Sequence, residues 1–279
     1  MTETTSPAPV EFRPVDLTLG AARMTMQVGG SGRPLVLFHS LLADRTSFDL
    51  IAAPLAARHQ VIALNLPGFG GSEAVEGGLE AVADRIAEAL EALRLPEKSI
   101  FLGNGYGGFV ALLTAMRHPA LVERLVLADC GAAFSEPGRA AFRGMSAAAE
   151  KGGLAAVADV AMRRLFAPEY QALHPELIAD RKERFLAIDP RTFHAACSAL
   201  AALDLRPRLS SLQTPVLVLV GEMDEATPPP MSQELAAGLP DARLVVLPGC
   251  AHVPQLQAPD VFLAAIRGFR GFLADAPAA

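Results

Sequence analysis

The chain has 279 residues, 51% of them apolar, enough for a substantial core in one large domain or two small ones. A net charge of −6 without any Lys/Arg cluster argues against nucleic acid as a partner, and no uninterrupted apolar run is long enough to span a bilayer. Cys130, Cys197 and Cys250 are too scattered for a disulfide framework, and no C-x-x-C or H-E-x-x-H pattern offers a metal site, so a reduced, cytoplasmic setting is expected.

Residues 1–14 begin polar and Thr/Pro-rich, lack the basic start and apolar stretch of a signal peptide, and read as a tail. Val15 to Leu19 and Arg23 to Val28 alternate and are joined through Gly20, which suits an antiparallel hairpin. Pro34–Phe38 and Val61–Leu64 are continuous apolar runs, as expected of buried strands. Leu79, Val82, Ala83, Ile86, Leu90 and Leu93 recur at helical spacing. Ser99–Leu102, Arg124–Ala128, Val216–Val220 and Leu244–Leu247 supply four more strands, and Phe262, Ile266, Phe269 and Leu273 stripe a closing helix. Such alternation predicts an α/β fold, with a parallel sheet covered on both faces. Residues 132–212 break the pattern. They carry helical periodicity through Phe142–Met145, Val157–Leu165, Leu177–Leu186 and Phe193–Leu203, punctuated by prolines, and are expected to form a helical cap between core segments 15–131 and 213–273; residues 274–279 read as a second tail.

Four segments carry chemistry. Phe38-His39-Ser40-Leu41-Leu42-Ala43-Asp44 follows a buried strand, and so does Asn65-Leu66-Pro67-Gly68-Phe69-Gly70-Gly71-Ser72. Gly221-Glu222-Met223-Asp224-Glu225-Ala226-Thr227-Pro228-Pro229 and Pro248-Gly249-Cys250-Ala251-His252-Val253-Pro254 follow the last two strands. Between them, the strand ending in Leu102 runs into Gly103-Asn104-Gly105-Tyr106-Gly107-Gly108 and then an apolar helix, the context of a G-x-S-x-G nucleophile elbow. Gly105 stands where the nucleophile belongs.

In this order the segments resemble the α/β-hydrolase superfamily over nearly the whole chain, in particular the capped group that includes 3-oxoadipate enol-lactonase and related esterases and lactonases. The resemblance implies an α/β-hydrolase fold and a triad in which Asp224 orients His252, the general base, while the nucleophile position has no side chain. It implies oxyanion donors at the N–H groups of Leu41 and Tyr106, with His39, Ser40, Asn104, Phe134 and Val253 facing substrate. The Asn65–Ser72 loop reads as structural. Asp129, also at a strand end, is an alternative acid. Ser40 and Cys130 are the nearest alternative nucleophiles by topology, although Ser40 has a counterpart in the enol-lactonase loop and Cys130 reads as a small buried residue. No metal, nucleotide or other cofactor is implied.

Three readings stay open. The protein is a hydrolase on a small, mainly apolar ester or lactone that uses His252 without a covalent step, with water in the hydroxymethyl-sized space left at Gly105; its serine-esterase activity is then weak. Alternatively it binds a small ligand or a partner without turnover, or it is a serine hydrolase altered to glycine. In the cap, Arg139, Arg143, Arg163 and Arg164 are candidates for pairing with a substrate carboxylate, though arginines on helices are mostly solvated surface. Oligomeric state is not legible from the sequence.

Overall fold

The computed structural model describes residues 10–270 and Phe272. Eight strands form one sheet: β1 (Phe12–Leu19), β2 (Ala22–Gly29), β3 (Arg33–Phe38), β4 (His59–Leu64), β5 (Ser99–Asn104), β6 (Val122–Ala128), β7 (Val216–Gly221) and β8 (Ala242–Leu247), in the order β1-β2-β4-β3-β5-β6-β7-β8. β1 and β2 pair antiparallel, as do β2 and β4; every later pairing is parallel. The parallel strands β3 and β5 to β7 are almost wholly buried, which is why their sequences run apolar without alternation. The tail expected through residue 14 does not reach that far, because β1 begins at Phe12; residues 1–9 and 274–279, also read as tails, lie outside the described residues. Arg13 and Pro14 hid the start of β1, and an edge strand tolerates both.

The sheet is covered on one face by α1 (Asp49–Ala56) and, after the single turn α10 (Pro254–Gln257), by α11 (Pro259–Arg267); Ile51, Leu55, Phe262 and Ile266 of α1 and α11 pack on Leu35, Leu37, Ile100 and Leu102. The expected closing stripe continues through Phe269 and Phe272, while Leu273 lies outside the described residues. Opposite lie α2 (Gly78–Ala92), α3 (Tyr106–Arg117) and α9 (Pro229–Gly238), in a cluster continuous with the cap. Residues 132–212, expected as a cap, hold α4 (Glu136–Gly152), α5 (Ala158–Leu165), α6 (Pro168–Leu173), α7 (Pro175–Leu186) and α8 (Pro190–Ala202). Pro168, Pro175 and Pro190 each stand in the first turn of their helix, where no N–H is missed. Both ends of the insertion meet over the sheet: Ala133 bridges Asp204, and the Leu205 N–H donates to the Ala132 carbonyl at 2.8 Å.

Candidate active site

The chain turns sharply where β5 ends. Gly105 sits at φ +55°, ψ −121°, a conformation that strains any residue with a Cβ, and α3 starts at the next residue. Crowding fixes the other small residues: a Cβ on Gly107 would run into the Phe38 carbonyl of the adjoining strand. The Gly105 N–H donates to the Ala128 carbonyl at 2.9 Å, tying the turn to β6. The turn keeps the geometry of an elbow although it presents no side chain.

Loops from the ends of β7 and β8 bring Asp224 and His252 to this turn. The His252 Nδ1–H donates to Asp224 Oδ2 at 2.9 Å, a tautomer inferred from the ring's partners, which leaves Nε2 unprotonated and facing Ser40 Oγ at 3.5 Å. Thr227 Oγ1 donates to the same Asp224 oxygen at 2.7 Å, while the N–H groups of Ala226 and Thr227 donate to Oδ1 at 2.8 and 3.1 Å. Burial pulls the Asp224 pKa upward, but the His252 ring and these hydrogen bonds outweigh it and hold the carboxyl below its usual range. Asp129, the alternative acid, does not reach the imidazole. It accepts the Gly221 N–H at 2.7 Å and Asn104 Nδ2 at 3.3 Å, and burial together with the neighbouring Asp224 charge pushes its pKa well up. Burial likewise raises the Cys130 thiol, which leaves it un-ionised and packed against Gly108.

The space at Gly105 is narrower than a missing hydroxymethyl suggests. A Cβ there would stand 2.6 Å from Ser40 Oγ and 2.7 Å from His252 Nε2, so these two groups have closed on the place a nucleophile's side chain would take. Beside it lies a cavity of about 30 Å³ lined by Ser40, Leu41, Gly105, Tyr106, Thr227 and His252, and on the cap side by Phe134, Phe142, Met145, Arg164 and Leu200. Leu41 and Tyr106 N–H meet no acceptor among the described residues, although both residues are buried. Donors left without a protein partner in a buried segment are rare.

Three residues expected to face substrate do not line this cavity. His39 is wholly buried; its Nδ1–H donates to the Ser40 carbonyl at 2.9 Å and its Nε2 accepts the Leu66 N–H at 3.2 Å, and burial lowers its pKa to about 4. Asn104 is spent on the His252 carbonyl (2.9 Å) and Gln255 (3.1 Å), and Val253 is packed in the core. His39 and Asn104 thus hold the loops of the site; Ser40 and Phe134 reach the cavity. Thr227 was passed over in the sequence, although its place in the Asp224–Pro229 segment was the available signal. The Asn65–Ser72 loop is structural: Ser72 Oγ donates to the Asn65 carbonyl (2.7 Å) and accepts the Thr25 N–H (2.9 Å).

A family profile described as the alpha/beta hydrolase family matches residues 35–265, the whole span from β3 to the last helix. The chain belongs to the α/β-hydrolase family. Within that family, the pimeloyl-(acyl-carrier protein) methyl ester esterase of Neisseria meningitidis is 32% identical over 254 residues, 85% of this chain and 93% of its own length. Among solved structures, the enol-lactonase of Burkholderia xenovorans superposes with a TM-score of 0.85 at 25% identity, over 90% of this chain and 98% of its own. A thermophilic esterase from Thermogutta terrifontis gives 0.80 at 28% identity, over 92% and 97%. The α/β-hydrolase fold expected from the motifs is therefore the fold of this chain, and its relatives include hydrolases of esters and lactones.

Proposed function

We propose that this α/β-hydrolase cleaves small, mainly apolar esters or lactones by general-base catalysis, with His252 activating water directly. The observation that carries the reading is the Asp224–His252 pair, complete with its Thr227 support, facing a cavity beside a turn that has no nucleophilic side chain. A volume of about 30 Å³ is large enough for a water molecule. Ser40 Oγ and His252 Nε2 both border it and supply a donor and an acceptor for that water.

The step balances without a covalent enzyme intermediate. Water oxygen bonds to the carbonyl carbon as His252 Nε2 takes its proton. The negative charge forming on the carbonyl oxygen is met by the N–H groups of Leu41 and Tyr106, acting as an oxyanion hole. The C–O bond to the leaving alkoxide then breaks, and His252 returns the proton to it, giving acid and alcohol. Asp224 fixes the imidazole tautomer and stabilises the transient imidazolium. The cap-side wall of Phe134, Phe142, Met145 and Leu200 favours an apolar acyl or alkyl group.

Ligand binding without turnover is the second reading, and the bare Gly105 favours it. A panel of short p-nitrophenyl esters and lactones, run with the native chain and with Gly105→Ser, separates the two. Measurable turnover by the native chain, without fluorophosphonate labelling at any residue, supports water activation. Turnover confined to Gly105→Ser contradicts it, and labelling of Ser40 in the native chain replaces it with a covalent route.

A further inference from the structure

At about 30 Å³ the catalytic cavity has room for a water molecule and none for the chain of an ester. A much larger cavity, of about 810 Å³, lies between the loop after β4, the start of α2 and the helix α8. Among the described residues, Tyr106 is the one that lines both spaces.

Where core and cap meet, the larger cavity is walled by small or apolar groups: Pro67, Val75, Val82, Ala196 and Ala199. Gly68 lets the core loop close on α8: its φ is +91°, and a Cβ there would stand 2.5 Å from the Thr192 side chain. Charged groups keep to the outside. Glu76, Asp189 and Arg191 are exposed, and Asp189 Oδ1 caps α8 by accepting the N–H groups of Arg191 and Thr192 at 2.7 and 3.3 Å. Such a lining suits a neutral, aliphatic ligand, and the volume falls in the range of small-molecule sites.

Tyr106 divides the two spaces and is loosely held. It is only 5% exposed, yet its hydroxyl makes no hydrogen bond among the described residues. The polar side-chain atoms that are both sealed and unpartnered belong to Ser47, Arg85 and Gln255, so the Tyr106 hydroxyl keeps an open side. A buried tyrosine normally finds a partner for this group. Without one, packing alone holds the ring, whose nearest aromatic neighbour, Phe69, is 6.3 Å away between centroids. The backbone is fixed independently, because α3 starts at Tyr106 and the Gly105 N–H ties the turn to β6. The ring can therefore turn while the Tyr106 N–H keeps its place.

We infer that the larger cavity binds the aliphatic acyl chain of the substrate, and that the Tyr106 ring is the gate through which this chain joins the catalytic cavity. With the ring as observed, the catalytic space holds water alone. With the ring turned aside, the chain runs from the larger cavity to a carbonyl at the N–H groups of Leu41 and Tyr106. The substrate assignment deepens the hydrolytic reading above and rests on it; the binding of an aliphatic chain does not.

Calorimetric titration with octanamide, which keeps the chain and the carbonyl but offers no ester, tests the site independently of turnover, with acetamide as the short control. Octanamide is expected to bind one per chain, and acetamide at least about tenfold more weakly. Ala199→Trp fills the cavity and should weaken octanamide by about tenfold or more. Ala195→Trp, at an exposed position of the same wall, serves if the first variant does not fold, as judged by circular dichroism. Tyr106→Ala removes the gate and keeps the N–H, so octanamide should bind it about tenfold more tightly, while Tyr106→Phe keeps the ring and should match the native chain. No octanamide binding by the native chain, or equal affinity in a folded Trp variant, overturns the cavity assignment. Affinity in Tyr106→Ala no higher than native overturns the gate. Hydrolysis is then compared for p-nitrophenyl octanoate and acetate. The octanoate-to-acetate ratio of kcat/KM should rise in Tyr106→Ala and fall about tenfold in Ala199→Trp, with acetate turnover unchanged in the latter. Acetate turnover without octanamide binding refutes the acyl-chain site alone. Octanamide binding without turnover of either ester refutes the hydrolytic reading alone.

Discussion

Gly105 combines a conformation hostile to side chains with the position where the motif leads one to expect a nucleophile. Its φ of +55° costs a substituted residue about 1–3 kcal/mol. An added Cβ also meets Ser40 Oγ and His252 Nε2, which are side-chain ends able to give way. Gly105→Ala is therefore expected to lower stability by about that range, read as a shift of the urea midpoint; an unchanged midpoint would mean that the turn relaxes. His39 makes a second prediction at this scale. Its folded pKa of about 4 lies below the 6.5 of an exposed imidazole, so between those values the unfolded chain takes up a proton that the native chain refuses. Stability from this group is complete above pH 6.5 and is lost as the pH falls toward 4, by about 3 kcal/mol. Urea titrations at pH 7 and pH 4 should show the native chain losing that much more than His39→Gln; equal losses would place the acid sensitivity elsewhere.

At the scale of elements, the cap is rooted by a few contacts. Arg139 crosses from the start of α4 to the carbonyls that end α8, beside the Ala133–Asp204 bridge where the insertion leaves and rejoins the core. Arg139→Ala leaves those carbonyls without a donor and should cost about 1–3 kcal/mol. Hydrogen exchange should then quicken near residues 133–139 and 201–205 while β3 to β7 stay protected. Exchange unchanged at both roots would show that the bridge and the apolar cap core hold the insertion without it. That residues 132–212 are helical was legible because the stretch lacked strand patterns and its prolines fell at helix starts. Short α6 was not, since it buries none of its six residues and so imprints no periodicity. Equally hidden was which of the four arginines named from the sequence lines the cavity, which is Arg164. Helical spacing puts Arg163 and Arg164 side by side, and only the packing of α5 decides which one turns inward.

Across the whole molecule, the sheet was readable because buried parallel strands leave unbroken apolar runs, and the loops at their ends carry the motifs in chain order. What could not be read was volume. That Ser40 and His252 close over Gly105, and that the remaining cavity is only about 30 Å³, depends on how the cap settles on the core. The same continuity lets the core report on the cap. Phe101 lies wholly buried at the centre of the sheet, its ring 4.9 Å from that of Phe38. Phe101→Ala should cost about 3–5 kcal/mol, read in the urea midpoint. The central claim, that His252 drives hydrolysis by activating water, is met most directly by kcat/KM for p-nitrophenyl acetate in the native chain and in His252→Ala. A fall of about 10²–10⁴-fold is predicted. A value within threefold of the native one would contradict the account.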